Sequence, residues 1–133
     1  MSDHNDLYLA AKQARALAHA PYSDFQVGAA IRAQNGDVFV GANVENAAYP
    51  EGWCAETSAI AAMIMAGHTD IADVCVVGSG SKAITPCGGC RQRLAEFSKA
   101  ETLVHIGDDQ GIVRTFKLGE LLPEAFEKAD LDD

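Results

Sequence analysis

Ile71-Ala72-Asp73-Val74-Cys75-Val76-Val77-Gly78 is the stretch that decides the fold. It is short, rich in β-branched residues and almost continuously apolar, the pattern of a strand covered on both faces. Such a strand needs helices on either side. Upstream, the run from Cys54 to Gly67 reads as a helix closed by a glycine. Downstream, after a loop through Pro86, GGCRQRLAEF (88–97) reads as a second short helix and TLVHI (102–106) as another strand. A turn at Asp108-Asp109-Gln110-Gly111 leads to a weaker strand, IVRTFKL (112–118). At the N-terminal end, about Leu7 to Ala20 carries apolar residues at helical spacing and stops at Pro21. Two β-prone runs then flank Asn35-Gly36, a hairpin signal, before the loop ENAAYPEGW (45–53). The order predicts a three-layer α/β/α sandwich on a mixed sheet of about five strands, with a right-handed crossover joining each later strand to its predecessor.

The chain's 133 residues, 48% of them hydrophobic, suffice for one domain over 1–133, with an acidic tail from about 127. The first twenty residues are polar and charged, unlike a signal peptide. The longest run of low polarity, AIAAMIMAG (59–67), is too short to cross a bilayer. A cytoplasmic protein is expected. Ten basic against nineteen acidic residues give a net charge of −9, which argues against nucleic acid or a membrane surface as partner. A small neutral ligand is compatible with that charge.

Four cysteines, Cys54, Cys75, Cys87 and Cys90, could form two disulfides, but in a cytosolic chain they more often bind metal or act in catalysis. Pro86-Cys87-Gly88-Gly89-Cys90 opens a helix, so both thiols can face one ion with the helix N-terminus favouring thiolates. Cys-x-x-Cys alone fits zinc or redox chemistry. Cys54, also at a helix start, offers a third ligand that a redox pair would not need. Three cysteines without an obvious fourth ligand match a catalytic zinc site, which keeps one position for water. Glu56, two residues beyond Cys54, is then the candidate general acid–base. Cys75, inside the apolar strand, reads as a small buried hydrophobe. His4, His19, His68 and His105 lack ligand-like spacing and read as surface or strand-end residues.

These elements resemble the short, tetrameric, zinc-dependent cytidine deaminases. Cys54-Ala55-Glu56 and Pro86-Cys87-Gly88-Gly89-Cys90 are similar to the family's two zinc elements, PYSDFQVGAA (21–30) to its substrate-orienting phenylalanine segment, GANVENAAYP (41–50) to its ribose loop, and ELLPEAF (120–126) to its C-terminal segment. The resemblance spans nearly the whole chain. It implies one zinc per subunit on Cys54, Cys87 and Cys90, with Glu56 moving protons as zinc-activated water attacks C4 of the pyrimidine, the known chemistry of zinc deaminases. It implies that Asn43 and Glu45 hold the ribose 3′-hydroxyl and that the Ala55 backbone contacts the base. Phe25 would pack on the ring, joined by a neighbouring subunit's Phe126, with Tyr49 reaching a neighbour's ribose site. Outside these motifs, Phe25 and Phe126 would read as core aromatics, Asn43 as a turn residue and Glu45 as a solvated carboxylate.

The family commonly has arginine directly after Cys-Ala-Glu, where its charge offsets the thiolates; this chain has Thr57. Zinc with three thiolates carries a net −1, so Thr57 or Arg91 is expected to assume part of that role. The implied activity is hydrolytic deamination of cytidine and 2′-deoxycytidine within a homotetramer. The alternatives are deamination of a modified cytosine nucleoside such as blasticidin S, and a non-catalytic zinc-binding module. Asn43 and Glu45 favour an unmodified nucleoside, and Glu56 has no use in a purely structural module.

Overall fold

In a computed structural model, which describes residues 3–81 and 83–131, the chain folds as a sheet between two helical layers. In chain order the elements are α1 (Asp3–Arg15), β1 (Gly28–Ala33), β2 (Val38–Ala42), α2 (Ala55–Met65), β3 (Ile71–Val77), α3 (Gly88–Glu96), β4 (Leu103–Asp108), β5 (Gly111–Lys117) and the single turn α4 (Leu118–Leu121). Short 3-10 turns add Tyr49–Glu51 and Lys128–Leu131.

The strand order is β2-β1-β3-β4-β5. The central strand is β3, every residue of which except Ala72 is buried, as its two-sided apolarity requires. Alternating side chains of β1 and β3 enter two different cores. Ala29, Ile31, Val74 and Val76 pack with Ala59 and Met63 of α2 and Leu94 of α3. Ala30, Cys75 and Val77 pack with Leu7, Tyr8 and Ala11 of α1 on the other face. Met63 and Leu94 are fully buried, each contributing about 2 kcal/mol by removal from water. Gly41 of β2 lets α2 approach closely: a Cβ there would meet the Ala59 nitrogen at 2.4 Å and the Ala55 carbonyl at 2.6 Å. The strand is therefore in near contact with the helix that carries Glu56.

Three expectations need correction. The first helix ends at Arg15, not Ala20. The backbone beyond it bonds elsewhere: the His19 N–H donates to the Asn43 carbonyl, and the Glu45 N–H donates to the His19 carbonyl. Second, among the described residues only the β3–β4 strand pair is parallel and joined by a helical crossover, through α3. The β5 strand returns antiparallel to β4 after two residues, a connection too short for a crossover. Third, His105 is a buried residue of β4. Its Nδ1 lies 2.9 Å from Thr115 Oγ1 and its Nε2 3.4 Å from Asp73 Oδ2. Asp73 also receives the Arg32 Nε–H at 3.1 Å, so a polar cluster lies among apolar strands. Among the described residues no helix is long and apolar enough to cross a membrane.

Candidate active site

The thiols are brought together by two helix starts. Cys54 is the residue immediately before α2 and Cys87 the one immediately before α3; both have extended backbones, and Cys90 follows in the first turn of α3. Their sulfurs all lie within 4.8 Å of one another, and Cys54 and Cys87 are 3.8 Å apart. A tetrahedral ion with Zn–S bonds of about 2.3 Å separates its sulfurs by about 3.8 Å, so the trio fits zinc in both donor chemistry and spacing. Cys90 is buried, Cys54 half-buried and Cys87 exposed. The hydrogen bond with Cys90 holds the Cys54 thiol below its ordinary value, while the same bond and burial hold Cys90 well above it. Two helix N-termini aimed at the trio favour the thiolate forms that a cation needs. Cys75 is remote in the other core, and burial pushes its thiol up to about 12, the state of an inert side chain.

Glu56 stands in the first turn of α2 and is only 4% exposed. Burial raises its pKa; hydrogen bonding with Cys90 and the charge of Arg93 act in the opposite sense. A carboxylate in such surroundings holds a proton closer to neutral pH than an exposed one, the condition for proton exchange with a substrate.

A cleft of about 580 Å³ opens above this group, within the range of small-molecule sites. Cys54, Ala55, Glu56 and Cys87 line it, together with Asn43, Glu45 and Tyr49. A reciprocal backbone pair between Val44 and Trp53 closes the intervening loop, bringing the Asn43–Glu45 segment beside the thiols. The Asn43 side chain bridges the preceding segment: Oδ1 accepts the Val27 N–H at 2.9 Å and Nδ2 donates to the Phe25 carbonyl at 3.0 Å. Glu45 accepts the backbone N–H groups of Tyr22 and Ser23 at 2.9 and 3.1 Å and the Ser23 hydroxyl, which holds its carboxyl below the usual value. Both residues therefore organise the cleft wall from behind.

The two phenylalanines lie elsewhere. The Phe25 side chain packs against the larger core. Phe126 is exposed in the C-terminal segment, its carbonyl accepting from Gln92 Nε2 at 2.9 Å. Tyr49 lies at the mouth of its own chain's cleft, edge-on to Tyr22 with ring centroids 6.0 Å apart. Two wall residues escape the sequence patterns, Tyr22 and Trp53, the latter anchored through its indole N–H to Ser58 Oγ at 2.7 Å. Of the two residues expected to replace the family arginine, Thr57 reaches a ligand: its Oγ1 is 3.8 Å from Cys90 Sγ. Arg91 is committed to the Pro86 and Leu121 carbonyls and to Thr85 Oγ1, and braces the loop ahead of Cys87.

A buried carboxylate beside a three-thiol cradle, at the floor of a small-molecule cleft, is the equipment of a metal-dependent hydrolase. Residues 1–106 match the cytidine and deoxycytidylate deaminase zinc-binding region. The chain is 42% identical to a cytidine deaminase of Halalkalibacterium halodurans, over 98% of this chain and 99% of that one. It is 43% identical to a cytidine deaminase of Mycobacterium tuberculosis, over 97% and 93% of the two chains. The crystal structure of a cytidine deaminase from Burkholderia pseudomallei superposes with a TM-score of 0.87 at 45% identity, covering 95% of this chain and all of that one. The chain belongs to the cytidine and deoxycytidylate deaminase family.

Proposed function

We propose that this chain is a cytidine deaminase, converting cytidine and 2′-deoxycytidine with water to uridine and 2′-deoxyuridine plus ammonia, in nucleoside salvage in the cytoplasm. The observation that carries the reading is Glu56, buried at the floor of the cleft in the same helical turn that begins with Cys54. Cys54, Cys87 and Cys90 would hold one zinc ion, which supplies the Lewis acidity that ionises water to a nucleophile near neutral pH. Glu56 moves the protons: it takes one from the attacking water and passes it to N3 of the pyrimidine as the C4–O bond forms. It then takes the second from the C4 hydroxyl and passes it to the exocyclic amine as the C4–N bond breaks and ammonia leaves. Asn43 and Glu45 take the ribose 3′-hydroxyl, and Ala55, which lines the cleft, offers its backbone to the base.

A single catalytic domain of this size leaves the mouth of the cleft open, with Tyr49 76% exposed. The outward side of α2 presents Ala61, Ala62, Ile64 and Met65, an exposed apolar surface suited to packing against a second copy. Association as a homotetramer would let a neighbour's Phe126 cover the substrate and give Phe25 and Tyr49 their roles at the closed site. The test is incubation of pure, zinc-loaded protein with cytidine, following the loss of its ultraviolet absorbance, alongside mass measurement in solution. Turnover is expected from an oligomer. A protein that binds one zinc per chain and leaves cytidine and deoxycytidine unchanged would overturn the reading.

A further inference from the structure

Three thiolates around a dication leave a net negative charge, and two side chains approach Cys90 where they can meet it. Thr57 Oγ1 approaches Cys90 Sγ to 3.8 Å from α2, and Arg93 Nη1 approaches the same sulfur to 3.9 Å from one turn farther along α3. Both distances suit hydrogen bonds to sulfur, and the i, i+3 spacing on a helix aligns Arg93 with Cys90. Gly89 makes room for the cation. A Cβ on Gly89 would lie 3.1 Å from Arg93 Nη1 and 3.7 Å from its Cζ, so the guanidinium rests against the bare Cα between the two cysteines.

We infer that Arg93, seated over Gly89 and assisted by the Thr57 hydroxyl, is the cation that offsets the charge of the thiolate set and fixes the orientation of Cys90. Arg93 is a positioning residue, because it acts through Cys90 and not on substrate. Arginine suits the place: it stays charged at any working pH, and its donors lie in a fixed plane. Arg91, two positions earlier, is turned to the loop carbonyls and cannot serve here. The inference rests on Cys54, Cys87 and Cys90 as the ligand set, and its test separates the two.

The experiment measures zinc affinity by competition with a chromogenic chelator, for the parent protein and for R93M, R93K, T57V and G89A, each checked for native circular dichroism. Outer partners of metal ligands are worth about 10–100-fold in affinity. Since Arg93 is an exposed residue, R93M is expected near the lower end, about tenfold weaker, with R93K recovering most of the loss. T57V should lose a few-fold, and G89A should fall between T57V and R93M by pushing the guanidinium aside. A parent that binds one zinc while R93M binds it within twofold as tightly overturns the inference alone. Equal losses in R93K and R93M overturn it as well, because charge would then not be what acts. A parent that takes up no zinc overturns the ligand set together with the inference.

Discussion

Replacing Asn43 by alanine separates two kinds of recognition residue: one that only touches the ribose, and one that also builds the wall behind it. The Asn43 amide spans the Phe25 carbonyl and the Val27 N–H, at 3.0 and 2.9 Å, in a half-buried position. Each such bond contributes about 1 kcal/mol net, and a backbone group left without a partner adds to the loss. N43A should therefore cost about 2–3 kcal/mol. With a urea dependence of about 2 kcal/mol per molar, the unfolding midpoint moves down by about 1 M. The assay is urea unfolding of zinc-saturated protein at one fixed concentration, so that association is held constant. In steady-state kinetics KM should rise about tenfold, the equivalent of about 1.4 kcal/mol. N43D keeps the acceptor for Val27 but sets a carboxylate against the Phe25 carbonyl, and should lose at least half as much stability. If N43A raised KM yet unfolded at the parent's urea concentration, Asn43 would be a ribose contact alone and the reasoning would fail.

Glu56→Gln keeps the volume of the buried side chain and removes its proton transfer; kcat should fall about 10²–10⁴-fold with zinc content unchanged by atomic absorption. A fully active E56Q would remove Glu56 from the mechanism. Asp73 is held below its ordinary value of 3.8: burial alone would raise it, but His105 and Arg32 together outweigh that. Its folded value being the lower one, the stability it contributes is present above pH 3.8 and is lost as pH falls from there through the folded value. D73N should flatten that acid limb in a urea series against pH, and an unchanged slope would contradict it. Gly41→Ala forces a methyl into α2's backbone, so it should cost about 3 kcal/mol and weaken zinc retention through Cys54; thermal unfolding and chelator competition would expose a G41A that behaves like the parent.

How much of this was legible in the sequence follows from how local each cause is. The character of β3 lies in its own seven residues. The Cys87 and Cys90 arrangement lies in one helix start, and Gly36 and Gly67 sit with positive φ at the hairpin and after α2, as their turn chemistry requires. The end of α1 is different, because the groups that draw the chain out of the helix are at Asn43 and Glu45, far along the sequence. His105 reads as a strand-end polar residue until Asp73 and Thr115, on the neighbouring strands, are brought beside it. For the site, the thiol trio and Glu56 follow from motif and spacing. The choice between Arg91 and Arg93 does not: two residues on one helix differ by about 200° of phase, and only packing decides which of them faces a sulfur.

The way Asn43 and Glu45 are tethered has a consequence for how a sugar would be received. An amide offers two acceptor and two donor sites and a carboxylate about four acceptor sites. Among the described residues the Asn43 side chain spends one of each kind on the protein, and Glu45 spends three. What is left over is a small residual valence with its direction already fixed by the backbone of residues 22–27. If these two residues receive the sugar as proposed, an incoming hydroxyl would meet donors and acceptors that need not rotate, shed a partner or lose rotamer freedom to greet it. The wall would then behave as a template cast before the substrate arrives, and shortening any of its tethers would change the direction of recognition before it changed its strength.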